Sequence, residues 1–288
     1  MLNLKSPKTF IELDHLFDER GIVRDCPDDV EKFLQHNNYY RFNAYFHHFL
    51  NKNDQFVAGT KLSTLLNIYE NDRWLRKLFL LILEPLELQL RCQLAYWLAH
   101  YYGSETLYIP GAFPNDSYRV NVLQTFEEQI CYVNAQYDPV KEHHYTYYGG
   151  HFPIWVIVEY LSFGEISKMF INVQRNVQDS VSSSFNSQPT RVVTQWMHAL
   201  STLRNACAHY GYLYRREFPV SAMIPKGSLI QDFRTKRIFS FIYAIKYLAP
   251  TENWTEYKNI LLHRLMSAPD FTPIDYGFPP AWNIFIES

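Results

Sequence analysis

Arg204, Asn205 and His209 fall within a turn and a half of the stretch LSTLRNACAHYGYLYRREF (200–218), in an otherwise apolar helical pattern. An arginine holds a phosphate through paired N–H donors and stabilises negative charge building on it, while a histidine exchanges protons near neutral pH. Those are the groups that metal-independent RNA cleavage needs. The ribose 2′-oxygen attacks the adjacent phosphorus, the 5′-oxygen leaves, a 2′,3′-cyclic phosphate forms, and DNA, lacking the nucleophile, is untouched. A structural role competes: Arg204 pairs with an acid such as Glu159, His209 caps a helix end and Asn205 is solvated.

The element that carries these residues is a helix predicted over 189–210, with Ser187 or Gln188 as its cap, Pro189 in its first turn and Gly211 as a left-handed stop. At about 100° per residue, Val193, Trp196, Met197, Leu200, Leu203 and Cys207 form one apolar stripe. Arg204 projects within it, so its guanidinium needs acceptors or a polar cleft. Asn205 and His209 share a second face with His198 and Thr202, about 140° round from Arg204. The negative helix end favours an imidazolium at His209. An angle that wide keeps Arg204 and His209 of one helix from converging on one atom, whereas two such helices facing each other across a two-fold axis can supply one group each. Just beyond, Tyr210, Tyr212, Tyr214, Arg215 and Arg216 are candidates to stack on unpaired RNA bases and contact phosphates; the tyrosines could equally pack against the aromatic N-terminal block.

Other chemistries find little support. There is no GxGxxG, Walker loop, HExxH, GxSxG or EF-hand loop. His47, His48, His143, His144 and His151 invite a metal reading, but adjacent helical residues point about 100° apart and do not share an ion easily, so no metal and no cofactor is expected. Cys26, Cys92, Cys131 and Cys207 are scattered, which fits neither a disulfide framework nor a zinc site. The longest apolar run, LFLLIL (78–83), is far short of a membrane span, and the start of the chain lacks a signal-peptide layout, so a soluble cytoplasmic protein is expected. The net charge of −2 argues against coating nucleic acid, yet residues 191–246 hold nine basic and two acidic side chains, +7, leaving −9 elsewhere.

With 47% hydrophobic residues, 17% aromatic ones and only 10 glycines in 288, helical spacing can be followed nearly throughout. Ser6 is predicted to cap a first helix containing Leu13 and Phe17, a second follows CPDD, and YYRFNAYFHHFL makes a third. A long helix runs from about Leu62 to Tyr102 with Tyr69, Leu75, Leu78, Ile82, Leu86 and Leu90 as its stripe, and Pro85 should kink or split it. Residues 103–115 are turn-rich and divide an N-terminal helical region (1–102) from a second one (116–288), within one domain overall. Helices are expected near 116–135, 153–173, 235–248 and 252–267, and FPVSAMI (218–224) is a candidate short strand.

RNACAH resembles the Arg-x4-His motif of HEPN ribonucleases. YYRFNAYFHHF (39–49), YENDRWLRKLFLLILEPLELQLR (69–91), FPIWVIVEYLSFGEISKMF (152–170) and LRNACAHYGYLYRREF (203–218) resemble, in order, the blocks of the abortive-infection family that includes AbiD and AbiF. The resemblance implies an all-α, HEPN-like helical bundle with additional N-terminal helices, a homodimer with facing motif helices, and endoribonuclease activity in bacterial antiphage defence. Arg204 and His209 would be catalytic, with Asn205 supporting them. A small non-coding RNA or another antitoxin partner is a further expectation. Tyr210 stands where the family would have a second histidine, and Tyr212 and Arg215 where it would have Arg and Asn. The alternatives are a non-catalytic module of the same fold that holds RNA or protein, and an effector modified on a tyrosine near the motif.

Overall fold

The apolar stripe beginning at Leu62 becomes the axis of the molecule. The computed structural model describes residues 6–27, 30–133, 138–186, 188–225 and 236–287; among these the fold is all-α, with thirteen helices and no strand. In chain order they are α1 (Phe10–Glu19), α2 (Val30–His36), α3 (Tyr39–Phe46), α4 (Leu62–Tyr102), α5 (Asp116–Tyr132), α6 (Pro139–Tyr148), α7 (Ile154–Tyr160), α8 (Phe163–Asn172), α9 (Arg175–Ser183), α10 (Thr190–Ala208), α11 (Ile238–Leu248), α12 (Thr251–Ser267) and α13 (Trp282–Glu287). Helix α4 packs against α3, α7, α8, α9 and α10. Its six predicted stripe residues are all buried, and one apolar cluster extends from Phe17 to Ile286. The turn-rich segment 103–115 is stitched into this core: Leu107, Ala112 and Phe113 are buried, and the carbonyls of Ser104 and Ala112 accept from the amides of Ile154 and Gln174.

Several local expectations are corrected. Helix α4 runs unbroken through Pro85. The ring removes the donor for the Leu81 carbonyl, but Leu81 and Leu88 on that side are 50% and 54% exposed, so water can serve the orphaned oxygen. Thr9, not Ser6, caps α1, in a capping box with Glu12. The helix expected over 153–173 is two helices, because Ser162 and Glu165 form a second capping box that starts α8. FPVSAMI pairs with no strand; the Gln195 amide takes that part, donating to the Ser221 carbonyl (2.6 Å) and accepting from the Met223 amide (2.8 Å). Ser187 lies outside the described residues, and α10 starts at Thr190 with Pro189, rather than Gln188, as its N-cap and no side-chain cap bond. Short helices α6, α9 and α13 were not anticipated.

One buried carboxylate ties the two ends of this architecture together. Asp72 of α4 is fully buried and accepts from the backbone amides of Leu213 and Tyr214, from the Tyr276 hydroxyl (2.8 Å), and lies 3.7 Å from Arg76. Burial pushes its carboxyl up from the ordinary range, against donors that all favour the ionised form. Removing the carboxylate leaves two amides and the Tyr276 hydroxyl without this acceptor and the buried Arg76 without its counter-charge, so Asp72→Ala should lower unfolding stability by about 3–5 kcal/mol. Urea unfolding followed by circular dichroism measures this, and a loss below about 1 kcal/mol would show that the clamp is dispensable.

Candidate active site

Helix α10 buries its whole predicted stripe: Val193, Trp196, Met197, Leu200, Leu203 and Cys207 are each no more than 2% exposed. Arg204, in that stripe's angular range, reaches α4 rather than α7. Its Nε lies 3.1 Å from Oε2 of Glu87 and its Nη2 3.4 Å from Oε1, a forked contact, while Nη1 is 3.5 Å from Oδ1 of Asn205. The partner is therefore Glu87 and not Glu159. Glu87 also accepts from Nη2 of Arg91 at 2.6 Å, and Arg91 donates onward to the Val158 carbonyl. Arg91 thus compensates the buried carboxylate by itself, and the Arg204 side chain remains 33% exposed with two of its five N–H groups unassigned.

His209 is the C-cap of α10, exposed, and its imidazole takes part in no hydrogen bond among the described residues. The helix stop differs from expectation. Tyr210, not Gly211, takes the left-handed conformation (φ 58°). Its amide donates to Cys207 and that of Gly211 to Ala206, the paired bonds of a Schellman ending. Gly211 is needed for closeness: a Cβ there would lie 2.6 Å from Nη1 of Arg216 and 3.0 Å from the Ala206 carbonyl oxygen. The left-handed tyrosine costs about 1–2 kcal/mol. Arg41 of α3 braces it, donating to the Tyr210 carbonyl (2.8 Å) with its guanidinium 5.3 Å from the ring centroid.

The other predicted contact residues divide. Tyr210 is 66% exposed, whereas Tyr214 is 2% exposed, packs against Tyr276 and His48, and donates to Asp275, so its ring offers no face to a base. Tyr212 is half-buried beside Tyr45. Arg215 is paired with Asp275 at 2.7 Å, and Arg216 lies over the rings of Tyr212 and Phe218. Arg237 sits 3.9 Å from Glu217 and Lys246 donates to the Phe285 carbonyl. Much of the basic excess counted over 191–246 is therefore tied to internal partners, and Lys226, Asp232 and Arg234 lie outside the described residues. His198, on the face shared with Asn205 and His209, is held below the ordinary imidazole range by burial and by Lys168, and contacts Ser167 at 3.3 Å. No group of three or more His, Cys, Asp or Glu among the described residues is placed to hold a metal ion, and none of the described helices is long and apolar enough to cross a membrane.

Glu87, Arg91 and Arg41 were missed as site residues. The first two carried a signal: Glu and Arg four apart in the apolar stripe of EPLELQLR raise the same question of compensation as Arg204 does. Arg41 carried none, since only tertiary packing sets it beside Tyr210.

The family described as Abi-like protein matches the chain over residues 32–215, from α2 to just past the motif helix. No curated protein and no solved structure matches it.

The Glu87 cluster separates structural from functional roles. Glu87→Ala strands two guanidinium groups and should reduce stability by about 3–5 kcal/mol, whereas Arg204→Ala leaves Glu87 paired with Arg91 and should reduce it by about 1 kcal/mol or less. Thermal and urea unfolding of both variants measure the difference. Equal losses would make Arg204 a structural cation.

Proposed function

Because the chain belongs to the Abi-like protein family, which supports a role in abortive infection, we propose that it is the endoribonuclease effector of such a system, with its active site shared between two copies of the chain. The observation that carries this is the state of the motif helix. The His209 imidazole stands exposed, with no hydrogen bond among the described residues, at the negative end of α10, and Arg204 is held by Glu87, one and a half turns earlier, with its side chain 33% exposed. Arg204 binds the scissile phosphate and stabilises the charge gathering on its oxygens. The imidazole of His209 exchanges the proton that leaves the 2′-oxygen or the one that the departing 5′-oxygen takes up. No metal enters this chemistry.

Helical geometry supports a site shared by two chains. Arg204 and His209 point about 140° apart on one chain, so each active site takes Arg204 from one protomer and His209 from the other. An antitoxin, RNA or protein, would act by covering this site or holding the protomers apart. A second reading rests on the Glu87 pair: Arg204 is structural, and the same fold binds RNA without cutting it.

Purified protein in EDTA, given single-stranded RNA, should produce 2′,3′-cyclic phosphate ends and leave DNA uncut, and both Arg204→Ala and His209→Ala should abolish cleavage while remaining folded. Mixing the two inactive variants should restore about a quarter of parental activity, since half the dimers are mixed and each holds one intact site. Cleavage by both single variants at the parental rate would remove the assignment, and absence of rescue on mixing would place the site within one chain.

A further inference from the structure

A cleft of about 960 Å³ opens between α2, α3 and α4 and reaches the C-terminal end of α10, where Cys207 and Tyr210 line it. Its walls carry Lys32, Arg41, Arg73, Arg76 and Lys77, with Glu70 as the acid among them. Arg76 is answered from behind by Asp72 at 3.7 Å and donates to the Tyr45 hydroxyl, so its charge belongs to the core. That still leaves Arg41, Arg73 and Lys77 against Glu70, in a chain whose net charge is −2.

The cations are arranged as a track. Arg73 and Lys77 are four residues apart on α4, hence about 5–6 Å from each other along one face, comparable with the separation of successive phosphates in an extended strand. Lys77 is exposed, and Arg73 pairs with Glu70 at 3.3 Å with both side chains half exposed, an interaction easily exchanged. Arg41 faces them from α3 and holds the Tyr210 carbonyl; it covers the Tyr210 ring, yet the residue remains 66% exposed. The cleft therefore offers an aromatic ring at Tyr210, the residue after His209 in the chain, and guanidinium and ammonium groups along its walls. Stacking on an aromatic ring together with a cationic track is the combination that holds unpaired nucleic acid.

We propose that this cleft binds the single-stranded RNA segment flanking the scissile linkage, through its phosphates, and leads it to His209. The direction of the path rests on His209 being a cleaving group; the binding itself does not. The N-terminal helices are then the substrate-binding part of the molecule, joined to the motif helix by the Arg41–Tyr210 contact.

A fluorescein-labelled 2′-O-methyl RNA 12-mer, which has no 2′-hydroxyl and cannot be cut by 2′-oxygen attack, separates binding from catalysis. Its affinity for the full-length protein is read by anisotropy across a range of salt concentrations. Replacing Arg73 and Lys77 together by Gln removes two phosphate contacts. The slope of log K against log salt should then become shallower by about 1.4, which at 0.1 M salt corresponds to about 25-fold weaker binding. Lys8→Gln with Lys52→Gln removes the same charge away from the cleft and should leave affinity within about twofold. Both replaced side chains of the test variant are exposed, and an unchanged melting curve confirms that it folds. Parental affinity and slope in the Arg73/Lys77 variant overturn the proposal, as does an equal loss in the Lys8/Lys52 control or an absence of RNA binding by the parent. If the parent binds the 12-mer through the cleft but cuts no RNA, the cleft stands and the nuclease reading falls.

Discussion

Two buried carboxylates on α4 set the register of nearly everything else. Asp72 and Glu87 lie fifteen residues apart on one helix, about 22 Å along its axis, and neither can stay in an apolar interior without donors. Both take them from the same stretch of chain running the opposite way: Glu87 from Arg204, Asp72 from the amides of Leu213 and Tyr214. Each carboxylate also has an arginine four residues further along its own helix, Arg76 and Arg91. The outcome is a fixed antiparallel placement of the motif helix and its exit segment on α4. His209 lies between the two anchor points in the chain, so its position follows from them although no hydrogen bond among the described residues holds its ring.

This arrangement explains a tension between stability and availability. A fully paired arginine is a structural element, and a fully free one has no defined direction. Because Arg91 already answers Glu87, Arg204 can lean on that carboxylate for orientation while its remaining donors face outward. Tyr210 shows the same economy in backbone terms. A left-handed tyrosine immediately after His209 is strained, and Arg41 from a distant helix holds it there, so the N-terminal helices help to shape the end of the motif.

Charge illustrates how linear counting misleads. The segment 191–246 carries a large basic excess on paper, but Arg204, Arg215, Arg237 and Lys246 meet Glu87, Asp275, Glu217 and the Phe285 carbonyl. The cationic cleft instead has walls from α2, α3 and α4, where Arg73 and Lys77 of one helix meet Arg41 of another. Pairing is a three-dimensional property, and it decides which charges reach solvent.

Periodicity made the helices legible. The apolar stripes of α4 and α10 are buried as their spacing requires, because a helix in water must hide such a face, and the polar residues set into the α10 stripe marked the candidate site without any structure. Less legible were the events that depend on short-range competition: Ser162 and Glu165 interrupting an apolar run, Pro85 tolerated where Leu81 faces water, and Tyr210 adopting the conformation expected of Gly211. Glu87, rather than Glu159, as the partner of Arg204 could be decided only in tertiary structure, as could the burial of Tyr214 and the meeting of Arg41 with Tyr210. The sequence by itself determined the helical class, the motif helix and the angle between Arg204 and His209, since these follow from local periodicity. Which charges are neutralised, which tyrosine faces solvent and where a cationic cleft opens depend on residues far apart in the chain coming within a few ångströms, and only packing specifies that.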